Sequence, residues 1–264
     1  MKRVLTAWPP LRGGLRSRRR AGLPVAFLCA LLTGYSPVWG FGGPAPLFAQ
    51  TADSGRLVQV EGVTDSGRRV PLATVALGST RLVIAAPDKR SHKPGSIVKV
   101  EGLDSLRHVG EVYLVGVDYF GSLRWLASLP ALRIVVATNS VVPRPTELLR
   151  LPGLRELFVV NSRLHRELPE ELSLAGTPNL EVLSFRGTAL RRAPILTGPP
   201  DGLAFLDLSN CGLDLRLDGN QRLRAALESY AGIDEVNLGG NEIDETVLEA
   251  FGNLDARSPE SLNE

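Results

Sequence analysis

The chain has 264 residues, of which 44% are hydrophobic and 22% charged, and its formal net charge at pH 7 is +2. Residues 1–50 hold seven of the 30 basic residues and no acid, so the rest of the chain carries 23 basic against 28 acidic side chains. The net charge beyond residue 50 is therefore about −5, and this acidic balance argues against nucleic acid as a partner.

The amino-terminal segment has the order of features found in secretory signals. Three arginines, Arg18–Arg20, precede an apolar run of 12 residues from Ala21 to Leu32, and small residues follow. We therefore predict a signal peptide or leader over residues 1–49 and an exported protein, periplasmic or secreted. Two alternatives remain open: a transit peptide, or an uncleaved membrane anchor, although an anchor needs about 20 apolar residues.

Residues 50–105 differ in texture from the rest of the chain. The segments 58–63 and 98–103 alternate apolar and polar residues, and the segment 70–86 between them is rich in Val, Leu, Ala and Thr. Alternation of this kind predicts β-strands. The region is interpreted as a β-rich flank, either a module of its own or a cap over the open edge of the element that follows.

From residue 106 onward the chain repeats one template, with apolar residues at offsets 0, 3, 5 and 10 and a small polar-capable residue at offset 8. The copies start at residues 109, 132, 154, 180, 203 and 233, a spacing of 22 to 30 residues. The copy at 203 is the clearest, and the copy at 109 departs from the template at Val117. The residues at offset 8 in the other five copies are Ser140, Ser162, Thr188, Cys211 and Asn241.

This template resembles the leucine-rich repeat, L-x-x-L-x-L-x-x-N/C-x-L, in which Cys211 and Asn241 occupy the N/C position. The resemblance implies an α/β solenoid with a curved parallel sheet of about six short strands over residues 106–254. Its convex side is expected to mix helical and extended segments, and residues 255–264 to form a polar tail. With Cys29 in the leader, the mature chain has only Cys211 and no cysteine-rich caps, which resembles bacterial exported members of the family.

The convex segments can be predicted in part. Pro145 begins a one-turn helix, residues 221–230 form the longest helix, and the proline-rich stretch 191–202 is expected to be extended. Apolar residues also stand six and three positions before most copies, for example Leu126 and Leu129 before the copy at 132.

The sequence offers no catalytic constellation, so we expect no enzymatic activity, no cofactor and no metal. His92, His108 and His165 are scattered, and none has a Cys or carboxylate at metal-ligand spacing. No nucleophile elbow or phosphate-binding glycine loop is present. Cys211 is interpreted as a buried structural thiol rather than a reactive one.

In the family, strand residues at offsets 2, 4 and 6 face outward from the concave sheet, where ligands are usually bound. In the first three copies these positions are largely apolar, and contiguous exposed apolar surface marks an interaction site. The resemblance therefore implies a protein or peptide partner on the concave face, unless the flank or Trp125 covers this surface. A structural or envelope-anchored protein, held at a membrane by an uncleaved leader, is the alternative. The predicted partner-binding residues are Tyr113, Val115, Ile134, Val136, Phe158 and Val160.

Overall fold

The repeated template forms the strands of one parallel sheet. The computed structural model describes residues 56–86, 96–213 and 221–242; the predicted leader (1–49) and polar tail (255–264) lie outside these residues. The sheet order is β14-β13-β11-β8-β6-β5-β3, and all six pairings are parallel. Its strands are β3 (Arg81–Ala85), β5 (Glu111–Val115), β6 (Ile134–Thr138), β8 (Glu156–Val160), β11 (Val182–Ser184), β13 (Phe205–Asp207) and β14 (Glu235–Asn237).

The chain is thus a parallel-strand β-solenoid with few helices, an arrangement consistent with a leucine-rich-repeat fold. The sequence predicted about six strands, whereas this sheet has seven within the described residues. The additional strand, β3, comes from the segment 50–105 and pairs with β5 from Arg81↔Glu111 to Ala85↔Val115. Its alternating residues could be recognised as a strand, but alternation does not identify the strand's neighbour.

The core lies behind the sheet and is built from offsets 3 and 5 of every copy. Parallel register aligns residues at the same offset, as in Val112↔Val135 and Val135↔Leu157. Because side chains alternate along a strand, both offsets point to the same face, and each coil buries the apolar face of its neighbour. All of these side chains are buried except Val236, which is partly buried: Val112, Leu114, Val135, Ala137, Leu157, Val159, Leu183, Phe185, Leu206, Leu208 and Leu238.

The apolar residues that stand six and three positions before most copies are spaced by the backbone hydrogen bonding there. The amide of Leu129 donates to the carbonyl of Leu126 at 3.1 Å, and the amide of Leu132 donates to that of Leu129 at 3.2 Å. The same bonds to the third preceding residue occur before the copies at 109 and 180. Tight turns of this type place every third side chain on one side, which explains the spacing of three residues.

Each of the six repeat strands (β5, β6, β8, β11, β13 and β14) is followed by a residue in the left-handed backbone conformation, directly before offset 8. The φ angle is 67° at Gly116, 50° at Asn139, 48° at Asn161, 66° at Gly187, 54° at Asn210 and 73° at Gly240. Only glycine, and to a lesser degree asparagine, adopts this conformation at low cost. The backbone conformation of the turn therefore explains why this position is always Asn or Gly in the six copies.

The side chain at offset 8 then joins each coil to the preceding one. Ser162 Oγ donates to the carbonyls of Val160 at 2.9 Å and of Ala137, in the preceding coil, at 3.2 Å. It also accepts the amide of Ser140 at 3.1 Å. Asn241 forms equivalent contacts with the carbonyl of Leu208 at 2.8 Å and the amide of Cys211 at 3.0 Å.

The convex side contains short and varied segments. Extended pairs are β7 (Val141–Val142) with β9 (Arg163–Leu164) and β10 (Glu171–Ser173) with β12 (Ile195–Thr197). The helical segments are a 3-10 helix at Arg124–Ser128, a one-turn helix at Pro145–Leu148 and a helix at Gln221–Ser229. Upstream, β1 (Leu57–Thr64) pairs antiparallel with β2 (Arg69–Ala76) and β4 (Ile97–Glu101) in a separate sheet.

Candidate partner-binding face

The six predicted partner-binding residues lie on the sheet face opposite the core. Glu111 pairs with Ile134 in one row, Tyr113 with Val136 and then Phe158 in the next, and Val115 with Thr138 and then Val160 in the third. Neighbouring strands are about 4.8 Å apart, so the six side chains are contiguous. We call this surface the concave patch: Tyr113, Val115, Ile134, Val136, Phe158 and Val160.

Exposure falls along the concave patch from β5 to β8. Val115 is 37% exposed, and Tyr113 and Ile134 are partly buried. Val136, Phe158 and Val160 are only 5–6% exposed, although none of them belongs to the core cluster behind the sheet. The accessible part of the patch is therefore its amino-terminal end.

A polar network borders this accessible end. Arg81 Nε donates to Glu111 Oε2 at 2.6 Å, and the Tyr113 hydroxyl donates to the same oxygen at 3.0 Å. Burial, together with the neighbouring Glu111 carboxylate, raises the pKa of Tyr113 to about 12. Tyr113 therefore stays a neutral hydrogen-bond donor at neutral pH. Its bond to Glu111 orients its ring on the same face of β5 as Val115.

Glu156 places a carboxylate beside the apolar residues of the concave patch. It follows Ile134 in the first row, and it is partly buried. Burial first, and then the charges of Glu181 and Glu111, raise its pKa above the usual glutamate range, while Arg155 acts in the opposite direction. Arg155 Nη1 lies 3.3 Å from Glu181 Oε1, so this cation already has a carboxylate partner.

The carboxyl-terminal half of the same face is mostly polar, with Val182 and Phe205 as its apolar residues at offset 2. Asp207 Oδ1 accepts the amide of Ser209 at 3.0 Å and its hydroxyl at 2.6 Å. Ser184, Asp207 and Ser209 are all buried. The described ranges contain no group of three or more His, Cys, Asp or Glu side chains able to hold a metal ion.

Sequence reasoning named the six residues of the concave patch but did not select Glu156. The available signal was a charged residue at offset 2 between two apolar copies, Ile134 and Val182. Its partial burial, which changes its chemistry, depends on neighbouring coils and is not encoded in the template.

Comparisons with known proteins give little for this chain. Neither a family model nor a curated protein matches it. Among solved structures it is similar to an internalin from Listeria monocytogenes, with 16% sequence identity and a TM-score of 0.35, over 68% of this chain and 74% of that chain. Within the described residues, no helix has both the length and the apolar character required to cross a membrane.

Proposed function

We propose that the protein is a non-catalytic interaction module, and that its amino-terminal concave patch binds a protein or peptide partner. The observation that supports this most directly is the exposure of Val115 on a face whose other apolar residues lie outside the core. An exposed valine next to buried apolar residues can form the centre of a small docking surface. A partner side chain that packs on it removes apolar area of both proteins from water.

The charges around the patch define the chemistry of the partner. Glu156 has a raised pKa and acidic neighbours, and its charged form is therefore disfavoured in the free protein. A lysine or arginine of the partner beside Glu156 would relieve this cost, while apolar partner side chains contact Val115, Tyr113 and Ile134. The proposed ligand is a segment that combines apolar and basic residues.

The remaining assignments belong to the same proposal. Residues 1–49 form the export signal, residues 50–105 the amino-terminal flank and residues 106–254 the repeats. The mature protein then works outside the cytoplasm, in the periplasm or as a secreted protein, without a cofactor.

The test compares two exposed valines on different sheets, Val115 (37% exposed) and Val98 (55% exposed). Val115→Asp changes the concave patch, and Val98→Asp changes an exposed position of β4, which belongs to the separate antiparallel sheet. Val115 is a better target than Phe158, because Phe158 is buried and an aspartate there would unfold the chain. Far-UV circular dichroism of each variant checks that folding is retained.

The full chain and both variants are immobilised, and proteins captured from an extract of the native host are quantified by mass spectrometry. We expect at least one protein that binds the wild type and Val98→Asp equally and is lost with Val115→Asp. With that partner purified, the dissociation constant should rise about tenfold for Val115→Asp and also increase for Glu156→Gln. Identical captured sets for all three proteins would show that the concave patch is not the docking site.

A further inference from the structure

A recess of about 450 Å³ lies away from the concave patch, where the chain leaves the strands of the first repeats. One wall is the turn that follows β5, with Asp118, Tyr119 and Phe120. The segments that follow β7 and β9 also line the recess and contribute Arg144, His165 and Arg166. The volume is within the range of small-ligand sites, about 300–1,000 Å³.

Parallel pairing brings the basic side chains of this recess together. Val141 pairs with Arg163 and Val142 with Leu164, and the amide of His165 donates to the carbonyl of Val142 at 2.9 Å. The same register makes Arg166 the counterpart of Arg144 in the next coil. Both arginines stand twelve residues after the start of their copies, at 132 and 154. Adjacent coils are about 4.8 Å apart, so two guanidinium groups share one wall.

The basic side chains of the recess have little compensation from the protein. Arg144 Nη1 lies 3.6 Å from Glu147 Oε1, but Glu147 also accepts Arg124 Nε at 3.1 Å and remains compensated without Arg144. In the described part of the chain, the side chains of His165 and Arg166 form no hydrogen bond or ion pair. Asp118 is the acidic residue of the lining, and it has an interaction of its own.

The aromatic wall is fixed in position. The amide of Ile97 donates to the carbonyl of Tyr119 at 2.7 Å, and the amide of Gly121 donates to the carbonyl of Ile97 at 2.9 Å. Tyr119 and Phe120 are buried, and their ring centroids are 5.1 Å apart. The ring of Phe120 is also 5.7 Å from that of Trp125. The lining therefore combines aromatic residues held in position with basic side chains, which favours a ligand with both characters.

We propose that this recess binds a small anionic ligand whose phosphate, sulfate or carboxylate oxygens contact Arg144, His165 and Arg166, and whose apolar part packs against Tyr119 and Phe120. Guanidinium groups bind such oxyanions through paired charge-assisted hydrogen bonds. The site is separate from the concave patch, and its occupancy does not depend on the partner proposed above. The chain beyond residue 50 is acidic overall, so the recess is a local reversal of charge.

The test uses phenyl phosphate as the probe, titrated into the full chain by isothermal calorimetry at about 0.15 M salt, where long-range charge effects are screened. Arg166→Ala removes one side chain of the recess. Arg163→Ala is the matched control, because Arg163 lies in β9 only three residues before Arg166, is exposed and does not line the recess. Phenol serves as the neutral counterpart of the probe.

We expect saturable binding of phenyl phosphate, weakened at least about fivefold by Arg166→Ala, as is usual for the loss of a charge-assisted contact, and less than about twofold by Arg163→Ala. Phenol should bind much more weakly. Absence of saturable binding at millimolar probe would overturn the proposal. Equal weakening by the two arginine variants would also overturn it, because the effect would then be one of net charge, and so would equal affinity for phenol.

Discussion

Removal of one hydroxyl, in Ser162→Ala, should destabilise the solenoid out of proportion to its size. Ser162 is 4% exposed, and its Oγ contacts three backbone groups: the carbonyls of Ala137 and Val160 and the amide of Ser140. Alanine leaves the Ser140 amide without an acceptor. A buried unsatisfied group costs about 1–3 kcal/mol, and the lost hydroxyl bond about 1 kcal/mol more, so we expect a loss of roughly 2–4 kcal/mol.

The assay is urea unfolding of the full chain followed by far-UV circular dichroism. Ser128→Ala is the control, because Ser128 is exposed and makes no side-chain hydrogen bond within the described residues; its effect should stay below about 0.5 kcal/mol. Solenoids can unfold in steps, so hydrogen exchange provides a local readout. The Ser140 amide should exchange faster in Ser162→Ala only. Equal midpoints for the two variants, with unchanged exchange at Ser140, would refute the reasoning.

Two further predictions concern the turns that leave the strands. Gly187→Ala should lower the free energy of unfolding by about 1–2 kcal/mol, because φ is 66° and the new methyl group meets the Asn161 side chain. The control is Gly202→Ala, which has open space and no positive φ and should be neutral in the same unfolding assay. Burial raises the pKa of Cys211 to about 12, so iodoacetamide at pH 8 should leave Cys211 unmodified in the native protein, as read by peptide mass mapping that separates it from Cys29. Full alkylation of the native chain at pH 8 would contradict a protected thiol. The Cys211 thiol ionises near pH 9 in the unfolded chain but not in the folded one, so the free energy of unfolding should fall from pH 9 towards 12.

The core was predictable because burial in a solenoid repeats with the sequence. Leu157 and Val159 fall at offsets 3 and 5, and the strand period alone decides which face they occupy. The tight turns were also visible, as pairs such as Leu126 and Leu129. Both features depend on local spacing, which a single sequence contains.

Other features depend on tertiary neighbours and were not predictable in the same way. Val115 and Val160 occupy the same offset, yet one is 37% and the other 5% exposed. Alternation assigns a residue to a face, but what covers that face depends on the rest of the chain. The left-handed backbone conformation directly before offset 8 is hidden in the sequence for a different reason. Asn139 and Gly187 differ in chemistry, so the shared backbone requirement is recognised only when their φ angles are compared.

The bonds that the offset-8 side chains make between coils all run in one direction along the chain. Ser140 contacts the carbonyl of Leu114, Thr188 that of Val159, and Cys211 that of Phe185, so each coil is completed by a side chain of the coil that follows. Loss of the last coil leaves backbone groups in the exit turn of the preceding coil without a hydrogen-bond partner. Loss of the first coil only frees the offset-8 side chain of the second coil. During synthesis each coil emerges before the residue that completes it, so the hydrogen bonds of its exit turn can be completed only after the following coil has been made.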